Sequence, residues 1–581
     1  MIFLRKRHGS SWLSAISGIV LGGSKDYKVG MKRDLKALTG RKFDVVVAGC
    51  GVYGAFIARE AAIRGLSVAI IDAGDFCCAT SANSLKTIHG GLRYLQQLDI
   101  DRVRRSACER RNLMYIAPHL IHPLPCLMPT TGLAMRSKPV MRMGLLVNDI
   151  LSFDRNTTGD PEKTIPAGIV VSRDECLRLI PGLTDPRITG AAMWTDASTY
   201  NSERLVLDAV LSACDSGAVA ANYVRLAGFI RNNGSITGII AEDSLTGARF
   251  EVQSSLVINS AGPWIPEILS MLDTKMQSPI RRLALAMNFV LTRQLFPTYA
   301  AGLTSPEEAN RKKRLLFFVP WRGRTIAGTY YREHQGKAGD MKVTENDISL
   351  FLGDINRAYP PAHAVRADIA LIHAGLLPAD PVDAPNSEPE ITRHYSIIDH
   401  RASDGIDGLL TVVGVKYTTA RDVAASTIDI AFRKLGRNGG RKSFSIEKRL
   451  HSGDIPDFNR FLREATQSTG TKIRERDIVR LVRSYGSDYR TVLDLCSEDD
   501  SLGRPVGDSP DLIGAEVVHA VRSEMAQTLA DIVLRRTDLG SAGRPDTKVL
   551  WLCAELMARE AGWDSRRTSS EIDRTLGAAV R

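Results

Sequence analysis

A glycine-rich turn set between an apolar strand and a helix constrains this chain more than any other feature. Residues 43–72 read FDVVVAG, CGVYG, AFIAREAAIRG and LSVAIID: strand, turn, helix and strand in succession. The first strand is continuously apolar, as a parallel strand covered on both faces must be, and Gly65 stops the helix before the second strand. Gly49, Gly51 and Gly54 make GxGxxG, and Asp72 closes the second strand. One glycine allows the tight turn, one lets backbone approach a pyrophosphate, and one lets helix pack on strand, while the first helical N–H groups face the phosphate charge. Asp72 would then take ribose hydroxyls. Val52 and Tyr53, inside the turn, belong to the same contact set. FAD and NAD share this fingerprint, so it predicts a dinucleotide without choosing between them.

At 581 residues the chain predicts at least two compact units. Strand-like stretches recur between about Gly190 and Val413, among them SITGIIAEDS, SSLVINSAGPW, RLLFFVPW and GLLTVVG. Helices interrupt them, one near 202–216 and an earlier one near 98–116, which a Pro-dotted region follows through Pro129. Beyond about Arg441 the strand signals stop, and RDIVRLVRSYG, AEVVHAVRSEMAQTLADIVLRR and KVLWLCAELMAREAG show helical spacing. The expected fold class is α/β: a Rossmann-like domain, an inserted mixed-sheet substrate domain, and an all-helical C-terminal domain. The cut falls in the linker LGRNGGRKS, giving regions 43–440 and 441–581. Residues 1–42 are expected to be a poorly ordered N-terminal extension. Its apolar run from Trp12 to Leu21, after Arg5, Lys6 and Arg7, is too short to span a bilayer. Trp12, Ile16 and Ile19 share one face, but a frayed extension, with Met31 as the start of the protein proper, is the expected state.

The net charge of +11 is spread among mixed acids and bases rather than gathered in blocks. No basic patch interleaved with aromatics suggests nucleic-acid binding; an anionic small-molecule substrate or an acidic lipid surface fits the charge. Nine cysteines include adjacent Cys77 and Cys78 but no CxxC pair and no Cys/His set at metal-ligand spacing, so no metal site is expected.

The next segment, FCCATSANSLKTIHGGLRYL, with His89, Gly90, Gly91, Arg93 and Tyr94, resembles the FAD-dependent glycerol-3-phosphate dehydrogenase family. Those proteins carry a Ser/Thr-rich stretch, a lysine and IHGGxRYL directly after the Rossmann unit. The likeness continues through SSLVINSAGPW, GTYYREHQG, TVVGVKYTTAR, RSYGSDY and RRTDLG. It implies FAD as cofactor, oxidation of sn-glycerol 3-phosphate to dihydroxyacetone phosphate by hydride transfer, and quinone as acceptor. It also implies that Thr80, Ser81, Ser84, Lys86, His89, Gly90 and Gly91 line the pyrophosphate and flavin, with Ala261, Gly262, Gly414, Lys416, Thr418 and Thr419 passing near the cofactor. His89, Arg93, Tyr94, Arg393 and Lys416 become the candidates for proton transfer, anion binding and the pocket wall. A cytoplasmic protein is expected, with association with the inner face of the cytoplasmic membrane and homodimer formation left open.

The resemblance breaks at the chemistry. Asn288 stands where the family has a histidine, Leu377 where it has a phosphate-binding arginine, Val415 at the second glycine of GGK, and Leu85 at a Ser/Thr. Arg366 or His373 are candidates to replace the lost cation. The alternatives are therefore a flavin oxidase or dehydrogenase of another small hydroxy, amino or phosphorylated compound, or a flavoprotein without turnover.

Overall fold

The computed structural model describes residues 30–578, apart from 133–134, 273–275, 277, 307–312, 381–388, 438–441 and 468–472. The expected amphipathic run at 12–21 and the expected cut at 440/441 lie outside the described residues. The strands through the first half are β1 (Phe43–Ala48), β2 (Val68–Ile71), β3 (Thr87–Ile88), β4 (Ile121–Thr131), β5 (Ile169–Val171), β6 (Ile188–Thr199), β7 (Val219–Ala221), β8 (Val224–Asn232) and β9 (Ser235–Asp243). There follow β10 (Arg249–Asn259), β11 (Arg282–Leu291), β12 (Ala300–Ser305), β13 (Arg314–Trp321), β14 (Arg324–His334), β15 (Ile369–Asp380), β16 (Glu390–Ile391), β17 (Ser396–Asp399) and β18 (Leu409–Val413). The helices that matter most here are α1 (Val52–Ile63), α2 (Ile100–Ile116), α3 (Lys138–Leu151), α4 (Ser202–Asp215) and α5 (Ala420–Lys434).

Two sheets result. The first runs β17-β18-β10-β1-β2-β7, parallel from β18 to β7. β10 shows how sequence sets this. Its first half, Arg249–Gln253, pairs antiparallel with β9 and alternates between buried and exposed; its second half pairs with β1 and is buried at every position from Leu256 on. The change from alternating to continuous apolar residues marks where covering passes from one face to both. α1 is the inner covering helix: apart from Tyr53 every residue in it is buried, and it packs on α4 and α5. Its few charges are compensated, Arg59 by the Ser445 and Lys448 carbonyls. Asn201 caps α4 through the Glu203 and Arg204 amides.

The second sheet runs β16-β15-β11-β14-β13-β12-β4-β6-β3, with β5 on β6. The Pro-dotted region, not expected as a strand, is the eleven-residue β4. Pro123, Pro125 and Pro129 occupy alternate positions, so all three missing N–H groups fall on one side of the strand. The other side pairs with β6 throughout, while β12 meets β4 at Cys126 and Leu127 only.

The C-terminal region is helical among the described residues, as expected, with one difference. AEVVHAVRSEMAQTLADIVLRR is not one helix: Gly514–Ser523 ends before Met525, whose φ is +59°, and Thr528 caps a new turn beginning at Leu529. That break turns the Ile532–Arg536 segment back onto the first sheet. There Arg535 and Arg536 reach Asp75 at 2.6 and 2.7 Å, Tyr223 reaches Asp531 at 2.7 Å, and Arg204 of α4 reaches Glu524 at 2.5 Å. Burial alone would raise the Asp75 carboxyl, but the Arg536 and Arg535 guanidiniums outweigh it and hold it at about 2.

A buried carboxylate between two buried guanidiniums cannot be neutralised singly without leaving charge uncompensated. Asp75→Asn is expected to lower stability by roughly 3–5 kcal/mol, seen as an earlier urea midpoint. Replacing Asp75, Arg535 and Arg536 together by apolar residues is expected to recover part of that loss.

Candidate active site

A cavity of about 690 Å³ runs from the β1–α1 turn to the second sheet, between β11, β14 and β15. Its first end is built by close backbone approach. A side chain at Gly54 would lie 1.9 Å from the Gly49 carbonyl oxygen, and one at Gly49, whose φ is +96°, would lie 2.7 Å from the Ala261 Cα. Only glycine lets α1, β1 and the end of β10 converge there. The Val52 N–H, at the start of α1, donates to Ser81 Oγ at 3.0 Å. Asp72 accepts from the Cys50 and Gly74 amides at 2.6 and 2.9 Å, while burial pushes its carboxyl up to about 6. Bare peptide at Gly49 and Gly51, a helix N-terminus and a fixed carboxylate form a cradle that fits the ADP half of a dinucleotide.

The loop after β2 forms one wall. Thr80 Oγ1 donates to the Leu376 carbonyl at 3.0 Å and accepts its amide at 3.2 Å, and a side chain at Gly375 would strike Thr80. This clamps the loop to β15. Further along, the His89 amide donates to Thr418 Oγ1 at 3.2 Å, and His89 Nδ1 meets Asp196 Oδ2 at 3.2 Å. Burial would raise Asp196, but His89 and Arg110 hold it below the usual carboxylate range. A carboxylate on Nδ1 fixes the tautomer and leaves Nε2 to accept a proton.

Lys416 is held from behind. Tyr53 Oη donates to the Lys416 carbonyl at 2.7 Å and accepts the Val415 and Lys416 amides at 3.2 and 3.1 Å. A side chain at Gly414 would lie 2.2 Å from the Tyr53 ring, so Gly414 makes room for this clamp. Lys416 Nζ is buried in the cavity wall with no hydrogen-bond partner, 3.4 Å from the centre of the Tyr94 ring, on which Arg102 also stacks at 4.0 Å. Burial, aided by Arg102 and Arg93 and opposed by Asp99, pushes its ammonium down to about 6. A buried amine without a partner, set on a tyrosine ring and lining the same cavity as an Asp-oriented histidine, can take up a proton and then hold an anion.

The cavity brings together Gly49, Gly51, Val52, Tyr53, Asp72, Thr80, Ser81, Ser84, His89, Tyr94, Ala261, Gly262, Gly414, Lys416 and Thr418. Other expected positions lie elsewhere. Lys86 does not line it: its Nζ is buried against Glu203 at 2.8 Å, Ser202 Oγ at 2.6 Å and the Ala82 carbonyl, tying the loop to α4. Arg393 lies at the surface, 3.6 Å from Glu390. Gly54, Gly90, Gly91 and Thr419 stand behind the wall, Gly90 because a side chain there would strike the Arg110 guanidinium. Arg93 is exposed outside the cavity, close enough to lower Lys416. Asn288 and Leu377 do line it, and Asn288 Oδ1 accepts from the Thr329 hydroxyl at 2.8 Å. Neither candidate replacement cation lines the cavity. Arg366 pairs with Glu345 at the surface, and His373 is buried against the Ser84 carbonyl, with burial and Lys86 pushing it down to about 3.

Sequence reasoning missed Asp196, Thr329, Tyr331 and Trp264. Asp196 carried a signal, an acid inside the apolar strand β6, since buried acids are rare without a partner. Among the described residues no group of side chains suits a metal ion, and no helix is long and apolar enough to cross a membrane.

This architecture has known counterparts. The structure of the glycerol-3-phosphate dehydrogenase from Bacillus halodurans complexed with FAD superposes with a TM-score of 0.73 at 23% identity, covering 94% of this chain and 97% of that one. The glycerol-3-phosphate dehydrogenase of Synechocystis sp. is 30% identical over 93% of this chain and 97% of its own length. The alpha-glycerophosphate oxidase of Lactococcus lactis is 27% identical over 93% and 96%. Residues 452–568 match the C-terminal domain of alpha-glycerophosphate oxidase. Residues 44–417, more than half of the chain, match the FAD dependent oxidoreductase model, and this protein belongs to that family.

Proposed function

We propose that this protein oxidises sn-glycerol 3-phosphate to dihydroxyacetone phosphate, passing the electrons on to a quinone at a membrane surface. The observation that carries the reading is Lys416 Nζ, buried and unpartnered in the same cavity as the Asp196-oriented His89. The names of the relatives, which cover nearly all of this chain, supply the substrate.

Gly49, Gly51, Val52 and Asp72 would hold the ADP half of FAD, and Thr80, Ser81, Ser84 and Thr418 would border the rest. FAD, when bound, supplies the acceptor for the hydride. His89 takes the substrate hydroxyl proton at Nε2, and Asp196 keeps that ring in the accepting tautomer. Lys416 pairs with the phosphate, and Tyr94 walls the pocket behind it. A second reading, a related flavin enzyme for another small hydroxy, amino or phosphorylated compound, has one observation in its favour. Leu85, Asn288 and Leu377 make the β11–β15 end of the cavity uncharged.

Anaerobic mixing with a panel of polyol phosphates and hydroxy acids separates the two readings. Glycerol 3-phosphate is expected to bleach the flavin absorbance; bleaching only by another compound would overturn the first reading in favour of the second. His89→Asn is expected to slow bleaching by about 10²–10⁴-fold while the bound flavin spectrum stays unchanged.

Lys416 makes a pH prediction with a definite sign. Its pKa is depressed, so in the free protein it is charged below about pH 6 and neutral above. An anion binds the charged form, so affinity is full below pH 6 and weakens with rising pH, by up to about tenfold per unit. Lys416→Arg stays charged throughout. The ratio of wild-type to Lys416→Arg KM is expected to climb above pH 6, which cancels titration of the substrate itself.

A further inference from the structure

The cavity wall carries a second polar group whose donors are unused. Asn288 sits within β11, where every other residue from Leu283 to Leu291 is apolar, and it is 3% exposed. A carboxamide in such a strand is costly unless its oxygen and its nitrogen are both met. Oδ1 is met by the Thr329 hydroxyl at 2.8 Å. Nδ2 has no partner among the described residues and is open to the cavity that Asn288 lines.

The strand pairing presents this group. Met287 faces Tyr330 on β14 while Asn288 faces Gly328, so Thr329 is the extra residue of a bulge. A bulge re-aims a side chain, and this one brings the Thr329 hydroxyl onto the Asn288 carboxamide. Gly328 leaves room for it: a side chain there would lie 1.9 Å from Asn288 Oδ1. The carboxamide therefore leans over β14 toward β13. There Phe317 pairs with Gly328 and meets the His89 ring edge-on, with centroids 6.3 Å apart.

The surroundings of Asn288 are uncharged. Leu85 lies beside it over Gly328, and Ala286, flanked by Gly375 and Tyr331, comes next along the same face. His373, its neighbour on β15, is buried and neutral. A carboxylate or phosphate on Nδ2 would be desolvated with no cation beside it, and an ammonium has no lone pair to accept the N–H. The group that an amide N–H can bind here is a neutral oxygen. In a three-carbon polyol phosphate Lys416 takes the phosphate and His89 the carbinol proton, which leaves the terminal hydroxyl for Asn288.

We propose that Asn288 is a specificity-determining residue: its Nδ2 donates to the hydroxyl oxygen on the carbon next to the one oxidised, and Thr329 is the positioning residue that fixes the carboxamide. The protein thereby selects a vicinal diol phosphate over the analogue that lacks this hydroxyl. This rests on the substrate reading above and names the part of the substrate that this end of the cavity recognises.

The test uses the full-length flavoprotein and two ketones that need no turnover, dihydroxyacetone phosphate and hydroxyacetone phosphate, which lacks the terminal hydroxyl. Titration calorimetry gives the affinity of each. Wild type is expected to prefer dihydroxyacetone phosphate by about tenfold. Asn288→Leu is expected to bring the ratio to about one by weakening dihydroxyacetone phosphate alone. Thr329→Val, which keeps the shape of the strand and releases Oδ1, is expected to cut the ratio to about threefold. General damage to the site would weaken both ketones alike and leave the ratio unchanged. A ratio in both variants equal to that of wild type would overturn the proposal while the substrate reading stands. Equal binding of the two ketones by wild type would do the same. If wild type binds neither ketone, the substrate reading fails and this one with it.

Discussion

The meeting of three backbones at Gly49, Gly54 and Ala261 is the contact on which the rest of this structure depends. α1 can lie close to β1 only because the Gly49 carbonyl meets no side chain at Gly54, and β10 can end beside β1 only because Gly49 has none. The same absence leaves peptide groups bare at the mouth of a parallel sheet, where the α1 N-terminus concentrates positive potential. Folding and ligand binding thus draw on one packing constraint. A side chain at either glycine would separate the helix from the sheet and fill the cradle.

Around this point the protein divides its charges into two kinds. Those that fasten the fold are paired within it: Asp75 with Arg535 and Arg536, Lys86 with Glu203, Arg204 with Glu524. Lys416 Nζ is left unpaired at a wall open to ligands. Burying an amine without a partner costs stability, and here burial lowers its proton affinity toward neutrality. The backbone beneath it is unusually constrained, with Tyr53 gripping both sides of the Lys416 peptide. Such a combination of a destabilised group on a rigid support is what a binding anion can relieve.

The Rossmann-like unit, its βαβ order and its Asp72 were legible because each requirement acts within thirty residues and excludes most residue types. The strand in SSLVINSAGPW, the second half of β10, was legible for the same reason. β4 was not, because local propensity counts prolines against a strand, whereas their period-two spacing places every missing donor on one edge. The continuous helix expected across 515–536 failed at Met525, where the docking of the last turn onto Asp75 overrides local preference.

Sequence alone therefore determined what could be decided by neighbours: where strands and helices start, which turn has room for a diphosphate, and which family the motifs resemble. Tertiary structure decided which charged groups face the cavity. Lys86 and Lys416 are both lysines in motif segments, yet one is neutralised by Glu203, 117 positions away, and the other meets only an aromatic ring. His89 gains its orienting carboxylate from a strand 107 positions on, while Arg393 ends at the surface. Pairing of charges is a matter of distance in space, and although an acid in an apolar strand such as Asp196 announces that it needs a partner, the chain order does not name which one.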